Sequence, residues 1–231
     1  MRLPTNAIYD IAPIASGDNI LLIMLPGARN TPRHLSENGF VQALRERNLP
    51  VDVLALDAHA DLYLDRADIE QLLHQTLDAA RKHGYRRIWL LGISLGGSGA
   101  MICATQRTAQ IEGLFLLAPF LGTRGIVAEV EAAGGLAGWR PGEIGNRDYE
   151  RALLERIRCS PIGSEEFPVV YLGFAQDDRY RGASMLLLKR ISPQYVVTRT
   201  GGHDWETWKA LWNMMLDKKP FVVSPKAVKW K

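Results

Sequence analysis

The chain has 231 residues, of which 47% are hydrophobic and 23% are charged, so it can bury a large core without disulfides or metals. These values exclude a collagen-like, coiled-coil or disordered chain. The formal net charge of +3 comes from a basic C-terminal tail, residues 218–231, which holds five lysines and no acidic residue. Because nucleic-acid recognition needs a concentrated basic face on the folded body, we expect no nucleic-acid partner.

Cysteine usage and hydropathy indicate the compartment. Cys103 and Cys159 are too few for a disulfide framework, which favours a reducing environment. The N-terminus lacks the apolar run of a signal peptide, and the apolar segment Ile20–Leu25 is far shorter than the roughly 20 residues of a membrane helix. We therefore expect a cytoplasmic protein without a membrane span, and the sequence carries no signal of its oligomeric state.

Strand-like and helix-like segments alternate in the first half of the chain. The continuous apolar run Ile20–Leu25 predicts a buried strand, a helix is predicted over 36–48, and a second strand over 51–56. Asp65 then has the features of a helix N-cap, followed by a one-faced apolar pattern that ends near Gly84. The alternation is typical of an α/β protein.

The second half continues this pattern with one interruption. Further strands are predicted at 87–91, Gly113–Leu117, 168–172 and 194–198, and a last helix at Trp205–Leu216. Residues 123–161 contain no strand and are predicted to form a short cap insertion. Six strands with intervening helices predict a mostly parallel central sheet covered by helices on both faces, in a single domain over residues 1–231.

The predicted strand at 87–91 leads into Gly92-Ile93-Ser94-Leu95-Gly96, a G-x-S-x-G pentapeptide. A serine on a sharp strand-to-helix turn exposes its hydroxyl as a nucleophile, and the flanking glycines let the backbone crowd there. A phosphate-binding loop is excluded because Ser98 stands where the lysine of that motif is required. Ser94 is therefore the candidate nucleophile.

A serine nucleophile needs a base, and the base needs an orienting acid. His203 follows the last predicted strand and precedes the last helix, at the sheet edge where Ser94 is expected. Asp177 and Asp178 follow the preceding strand at the same edge, and either can supply the acid. Asp204 adjoins His203 and cannot easily fold back onto its ring, so we assign it a structural role.

The developing oxyanion needs hydrogen-bond donors. The backbone N–H of Leu95, next to the nucleophile, is one candidate, and the turn after the first long strand supplies the other. The alternating residues Asp57, His59 and Asp61 could ligate a metal, but no established metal-ligand pattern is present. We expect neither a metal nor a cofactor.

Together these segments resemble the α/β-hydrolase superfamily over about residues 20–216, and residues 202–208 resemble a small bacterial subgroup of esterase-like hydrolases. The matching segments are residues 25–28, 92–96, 177–179 and 202–205. The resemblance implies Ser94 as nucleophile, His203 as base, Ala28 and Leu95 as oxyanion donors, and it favours Asp178 over Asp177 as the acid. It implies an α/β-hydrolase fold and a serine hydrolase of carboxylesterase or thioesterase type.

The sequence departs from many members of this superfamily in two turns. Pro26-Gly27 replaces a His-Gly pair, and residues 57–60 replace a glycine-rich turn, which indicates a differently shaped acyl side of the pocket. The expected partner is a small-molecule ester or thioester. A non-catalytic ligand-binding protein on the same fold and an acyltransferase with the same triad remain alternatives.

Overall fold

The computed structural model describes residues 6–14 and 17–222. Part of the predicted basic tail, residues 223–231, lies outside the described residues, as do residues 1–5 at the other end of the chain. The beginning of the tail is packed rather than solvated. Phe221 lies 5.1 Å from the ring of Trp89 and 5.7 Å from that of Phe115, and its carbonyl accepts a hydrogen bond from Arg87.

A seven-stranded sheet in the order β1-β3-β2-β4-β5-β6-β7 forms the centre of the protein. The strands are β1 (Ile8–Asp10), β2 (Ile20–Leu25), β3 (Val51–Ala55), β4 (Arg87–Ile93), β5 (Gly113–Leu117), β6 (Val169–Ala175) and β7 (Val196–Arg199). Strands β2 to β7 pair in parallel, and only β1 is antiparallel to its neighbour. The prediction of a mostly parallel sheet is confirmed.

Within the described residues, eight α-helices accompany the strands. They are α1 (Pro32–Glu37), α2 (Phe40–Glu46), α3 (Arg66–Lys82), α4 (Leu95–Gln106), α5 (Arg124–Ala132), α6 (Tyr149–Cys159), α7 (Arg181–Leu188) and α8 (Trp205–Leu216). Asp65 caps α3 as expected, because its carboxylate accepts a hydrogen bond from the backbone N–H of Ala67 at 2.9 Å. Within the described part of the chain, no helix is long and apolar enough to cross a bilayer.

The structure differs from the sequence prediction in two elements. Strand β1 was not predicted, because three half-buried residues carry too little periodicity to be recognised. The single helix predicted over 36–48 is two helices, α1 and α2, which meet at Gly39 in a left-handed conformation with φ of 80°. A glycine adopts this conformation without steric cost, so the chain can change direction there.

Both faces of the sheet are covered, which explains the continuous apolar runs. In β2, the side chains of Leu21, Ile23 and Leu25 belong to the core on the side of α3 and α4. The alternating Leu22 and Met24 belong to the core on the opposite side, with α2 and α8. A strand buried on both faces has no polar side to alternate.

The segment predicted as a cap, residues 123–161, folds against the same sheet. Its helices α5 and α6 bury Val130, Leu154 and Ile157 in the hydrophobic core that also contains α3 and α4. Trp139, between these helices, is 2% exposed, and its indole N–H donates to Glu129. The segment therefore extends the helical layer on this face, and its outer part borders the carboxyl ends of the strands.

Candidate active site

The turn between β4 and α4 holds Ser94 in a strained backbone conformation, with φ of 50° and ψ of −116°. Its N–H donates to the carbonyl of Leu117 at 2.9 Å, and its carbonyl accepts from the N–H groups of Gly97 and Phe120, both at 2.8 Å. Positive φ is costly for a residue with a side chain, and such strain persists only where surrounding contacts impose it. These three hydrogen bonds hold the serine in the geometry of a nucleophile elbow.

Close backbone approaches explain the glycines on either side of Ser94. A Cβ atom at Gly96 would overlap the carbonyl of Leu25 and lie 2.7 Å from the carbonyl oxygen of Pro26. A Cβ atom at Gly92 would lie 2.7 Å from the Cα of Gly97. Real Cβ atoms do not approach backbone so closely, so the turn can form only with glycine at both positions.

We expect Gly96→Ala to lower the free energy of unfolding by about 1–3 kcal/mol, because the added methyl group must displace the backbone of β2. Urea unfolding followed by circular dichroism measures this change. Gly142→Ala is the matched control, since a Cβ atom there meets nothing within 4 Å. Equal stability of the two variants would contradict the packing described for the turn.

His203 lies in the loop between β7 and α8, and its imidazole Nε2 is 2.9 Å from the hydroxyl oxygen of Ser94. The next residue, Asp204, caps α8 by accepting a hydrogen bond from the N–H of Thr207 at 2.9 Å. That hydrogen bond lowers the pKa of the Asp204 carboxyl below its ordinary value. Asp204 therefore fixes the start of α8 directly behind the histidine, as a structural residue.

The structure separates the two aspartates that the sequence left as alternatives. Asp178 is 1% exposed, and its Oδ2 lies 2.7 Å from Nδ1 of His203, while its Oδ1 accepts from the N–H of Tyr180 at 2.8 Å. Asp177 is exposed and accepts a weaker hydrogen bond from the N–H of Gly201 at 3.3 Å. Only Asp178 reaches the imidazole.

The two backbone donors expected for an oxyanion flank Ser94. Leu95 begins α4, and the turn that carries Ala28 packs against the serine, since a Cβ atom at Gly27 would lie 3.5 Å from the Cβ of Ser94. Neither the N–H of Leu95 nor that of Ala28 has an acceptor among residues 6–14 and 17–222. The helix dipole of α4 adds positive potential at Leu95.

The overall structure is similar to those of several solved enzymes. Est1E from Butyrivibrio proteoclasticus superposes with a TM-score of 0.63 and 18% identity, covering 92% of this chain and 93% of that one. FphF, a fluorophosphonate-binding serine hydrolase of Staphylococcus aureus, gives 0.63 and 12%, covering 90% and 86%. The monoacylglycerol lipase of Paleococcus ferrophilus gives 0.59 and 13%, covering 92% and 98%.

The chain has the α/β-hydrolase fold. No protein-family model and no curated protein matches the sequence. In this α/β-hydrolase fold, Ser94, Asp178 and His203 follow three different strands, β4, β6 and β7, and the parallel pairing brings their carboxyl ends to one edge of the sheet. Ligand sites of open α/β sheets lie at that edge.

Aromatic side chains around His203 were not identified from the sequence. The ring of Tyr180 lies 4.9 Å from the imidazole at 69°, and that of Trp208 lies 4.9 Å away at 89°. Trp208 is buried on α8, in the helix predicted over Trp205–Leu216, but its contact with the histidine was not predicted. These two edge-to-face contacts restrict the tilt of the His203 imidazole.

A cavity of about 640 Å³ opens beside the nucleophile elbow, between α4 and the segment 123–161. Leu95, Ile102, Phe120 and Ile126 give it an apolar wall, and Arg147 lies at its border. Two residues of its wall lie next to Ser94 in the structure: Leu95 follows it in the chain, and the N–H of Phe120 donates to the Ser94 carbonyl. Its size is in the range of small-molecule sites.

The residues considered as metal ligands lie apart from the hydrogen-bonded chain at Ser94. Asp57 accepts a hydrogen bond from Asn6 at 3.3 Å, and Nδ1 of His59 lies 3.9 Å from a carboxylate oxygen of Asp61. Among the described residues, no group of three or more histidine, cysteine or acidic side chains is arranged to hold a metal ion. Asp57 thus contacts the segment before β1, whereas His59 and Asp61 form a local contact in the loop after β3.

Proposed function

We propose that the protein is a serine hydrolase that cleaves a small ester or thioester through an acyl-enzyme intermediate. The observation that carries this proposal is the hydrogen-bonded chain from Asp178 through His203 to Ser94, at 2.7 and 2.9 Å. A serine hydroxyl becomes an effective nucleophile when a base oriented in this way accepts its proton.

In the first step, the hydroxyl oxygen of Ser94 attacks the substrate carbonyl carbon while Nε2 of His203 takes the hydroxyl proton. The carboxylate of Asp178 stabilises the imidazolium that forms and holds Nδ1 as the protonated nitrogen. The negative oxygen of the tetrahedral intermediate is directed to the N–H groups of Leu95 and Ala28. Each such donor typically contributes about 2.7–4 kcal/mol to the stability of the transition state.

In the second step, the bond between the carbonyl carbon and the leaving oxygen or sulfur breaks, and His203 gives its proton to the leaving atom. The acyl group remains on Ser94 as an ester. Water then enters, His203 removes a proton from it, and the hydroxide attacks the acyl carbon. Collapse of the second intermediate returns the proton to Ser94 and releases the acid, so that the enzyme is regenerated.

The buried Asp178 and the backbone geometry of Ser94 support this assignment over a non-catalytic binding site. A strained serine costs stability, of order 1–3 kcal/mol, without any benefit to a purely structural turn. The structural neighbours include proteins named as an esterase, a fluorophosphonate-binding serine hydrolase and a lipase. We further propose a cytoplasmic location, which rests on the free thiols of Cys103 and Cys159.

Labelling with a fluorophosphonate probe tests the proposal. We expect one covalent adduct per chain, located at Ser94 by peptide mass spectrometry, because phosphonylation needs an activated serine. Ser94→Ala should abolish the adduct, whereas Ser98→Ala should retain it, since the hydroxyl of Ser98, on α4, donates to the carbonyl of Phe120 in the loop after β5. A folded wild-type protein that takes up no probe would support the non-catalytic alternative.

Product analysis separates hydrolysis from acyl transfer. Incubation of the enzyme with a p-nitrophenyl ester and a small alcohol is expected to yield mainly the free acid, because the elbow and the exposed turn at Ala28 leave the acyl-enzyme open to water. A dominant transesterified product would favour the acyltransferase alternative, which uses the same three side chains.

A further inference from the structure

Two arginines, Arg124 and Arg179, contact the ring of Tyr180 beside His203, the candidate base, and have no acidic partner among the described residues. The guanidinium carbon of Arg179 lies 4.8 Å from the centre of the Tyr180 ring, and that of Arg124 lies 5.7 Å from it. Tyr180 itself packs against the imidazole of His203 at 4.9 Å. Both arginines are exposed, and neither forms an ion pair or a hydrogen bond with any residue in the described ranges 6–14 and 17–222.

Two carboxylates near these arginines have other partners. Asp177, two residues before Arg179, accepts a hydrogen bond from the N–H of Gly201. Glu150 accepts from both the N–H and the hydroxyl of Thr123, the residue before Arg124. Several other arginines form ion pairs, such as Arg87 with Glu112 and Arg151 with Glu129. Two unpaired cations on a single ring leave a local positive potential beside the site.

The position of the two guanidiniums indicates which part of the substrate would lie next to them. Nε2 of His203 must protonate the leaving atom, so the leaving group lies on the histidine side of Ser94. Tyr180 packs on that histidine, and Arg124 and Arg179 pack on Tyr180. The apolar cavity lined by Leu95 and Phe120 lies instead between α4 and the segment 123–161, next to the residue that follows Ser94, where it can receive the acyl group.

We propose that Arg124 and Arg179 bind an anionic group, a carboxylate or phosphate, on the alcohol or thiol leaving group of the substrate. This inference rests on the proposed hydrolase function and specifies its substrate class: an apolar acyl group esterified to a negatively charged alcohol or thiol. Arginine suits this task because its planar guanidinium donates paired hydrogen bonds to carboxylate and phosphate oxygens. Stacking on Tyr180 holds both guanidiniums in place before the substrate arrives.

A matched pair of thioesters tests the assignment. The acetyl thioester of 4-mercaptobutyrate carries the anion on the leaving group, and the acetyl thioester of 4-mercaptobutyramide is its neutral counterpart. We expect kcat/KM to be about 10- to 100-fold higher for the anionic thioester, as for a charged hydrogen bond. The preference should shrink as sodium chloride is added, since salt screens exposed charges.

Substitutions then identify the residues that cause the preference for the anionic thioester. In Arg124→Gln and Arg179→Gln the ratio of the two kcat/KM values should fall by most of this factor. Arg181→Gln is the matched control, because it removes the same charge two residues from Arg179, and the Arg181 guanidinium donates to the Gln176 carbonyl. The control should keep the wild-type ratio within about twofold. An equal fall in all three variants would reduce the effect to general electrostatics and overturn the assignment.

A second matched pair of substrates tests whether the anion is recognised on the acyl side or on the leaving group. S-ethyl monothiosuccinate carries its carboxylate on the acyl side, and its primary amide is the neutral partner. A preference for this anion, and none for the leaving-group anion, would overturn the orientation proposed here. O-acetyl glycerol phosphate is the phosphate probe, because its phosphate lies on the alcohol that leaves. Loss of fluorophosphonate labelling would instead contradict the hydrolase function itself, so the two failures are distinguishable.

Discussion

Replacing Ser94 by alanine is expected to lower kcat for a p-nitrophenyl ester by roughly a millionfold, to the level of the background provided by the remaining site. The hydroxyl oxygen of Ser94 is the atom that would form the acyl bond, and within residues 6–14 and 17–222 no other hydroxyl hydrogen-bonds to Nε2 of His203. Initial rates with the purified variant measure the effect, and extensive washing is needed to exclude wild-type contamination.

The variant should remain folded, because the hydroxyl is not part of the core. The backbone groups of Ser94 make the hydrogen bonds to Leu117, Gly97 and Phe120, and alanine keeps all three. Ser98→Ala provides the comparison, since it removes a hydroxyl from the same helix without touching His203. If Ser94→Ala kept more than a few percent of the wild-type rate, the proposed nucleophile would be wrong.

Asp178→Asn is expected to lower kcat by about 10⁴-fold, whereas Asp177→Asn should change it by less than about threefold. The Asp178 carboxylate accepts a hydrogen bond from Nδ1 of His203 and thereby leaves Nε2 free to take the serine proton. An asparagine amide can donate to Nδ1 instead, which favours the wrong tautomer of the imidazole. Steady-state kinetics of the two variants at one pH measure the difference.

The pair is well matched, because the two aspartates are adjacent and each substitution removes one negative charge. Asp177 is exposed and is bonded only to the N–H of Gly201, so its loss leaves the imidazole untouched. A general electrostatic effect of the lost charge would lower both rates by similar factors. The opposite ranking would reassign the acid to Asp177 and contradict the geometry of the loop after β6.

Sequence patterns predicted the tight strand-to-helix turn at Ser94 well because its determinants are local. The glycines of residues 92–96 are needed for backbone approaches within one strand-turn-helix unit, and the apolar strand before Ser94 is visible as a continuous run. The order of nucleophile, acid and histidine along the chain follows from the same alternation of strands and helices. The parallel sheet was predictable for the same reason.

The choice between Asp177 and Asp178 depends on non-local geometry, which the residues alone did not settle. Adjacent side chains in a loop point in different directions, and the N–H of Tyr180 fixes which carboxylate faces His203. Strand β1 and the break at Gly39 were missed because a three-residue edge strand and a helix interruption carry weak periodicity. The arginines around Tyr180 come from separate elements and become neighbours only in the folded protein.

The position of β7 at the edge of the sheet has a consequence for how the protein loses activity. Ser94 follows the central strand β4, whereas His203 follows a strand of four residues that pairs with β6 alone. Cooperative opening is least costly at such an edge, where few backbone hydrogen bonds must break. Local detachment of β7 would withdraw His203, the proposed base, while the core around β2 and β4 stays intact. Thermal inactivation would then precede global unfolding, and resistance to heat would depend on how firmly α8 anchors this edge.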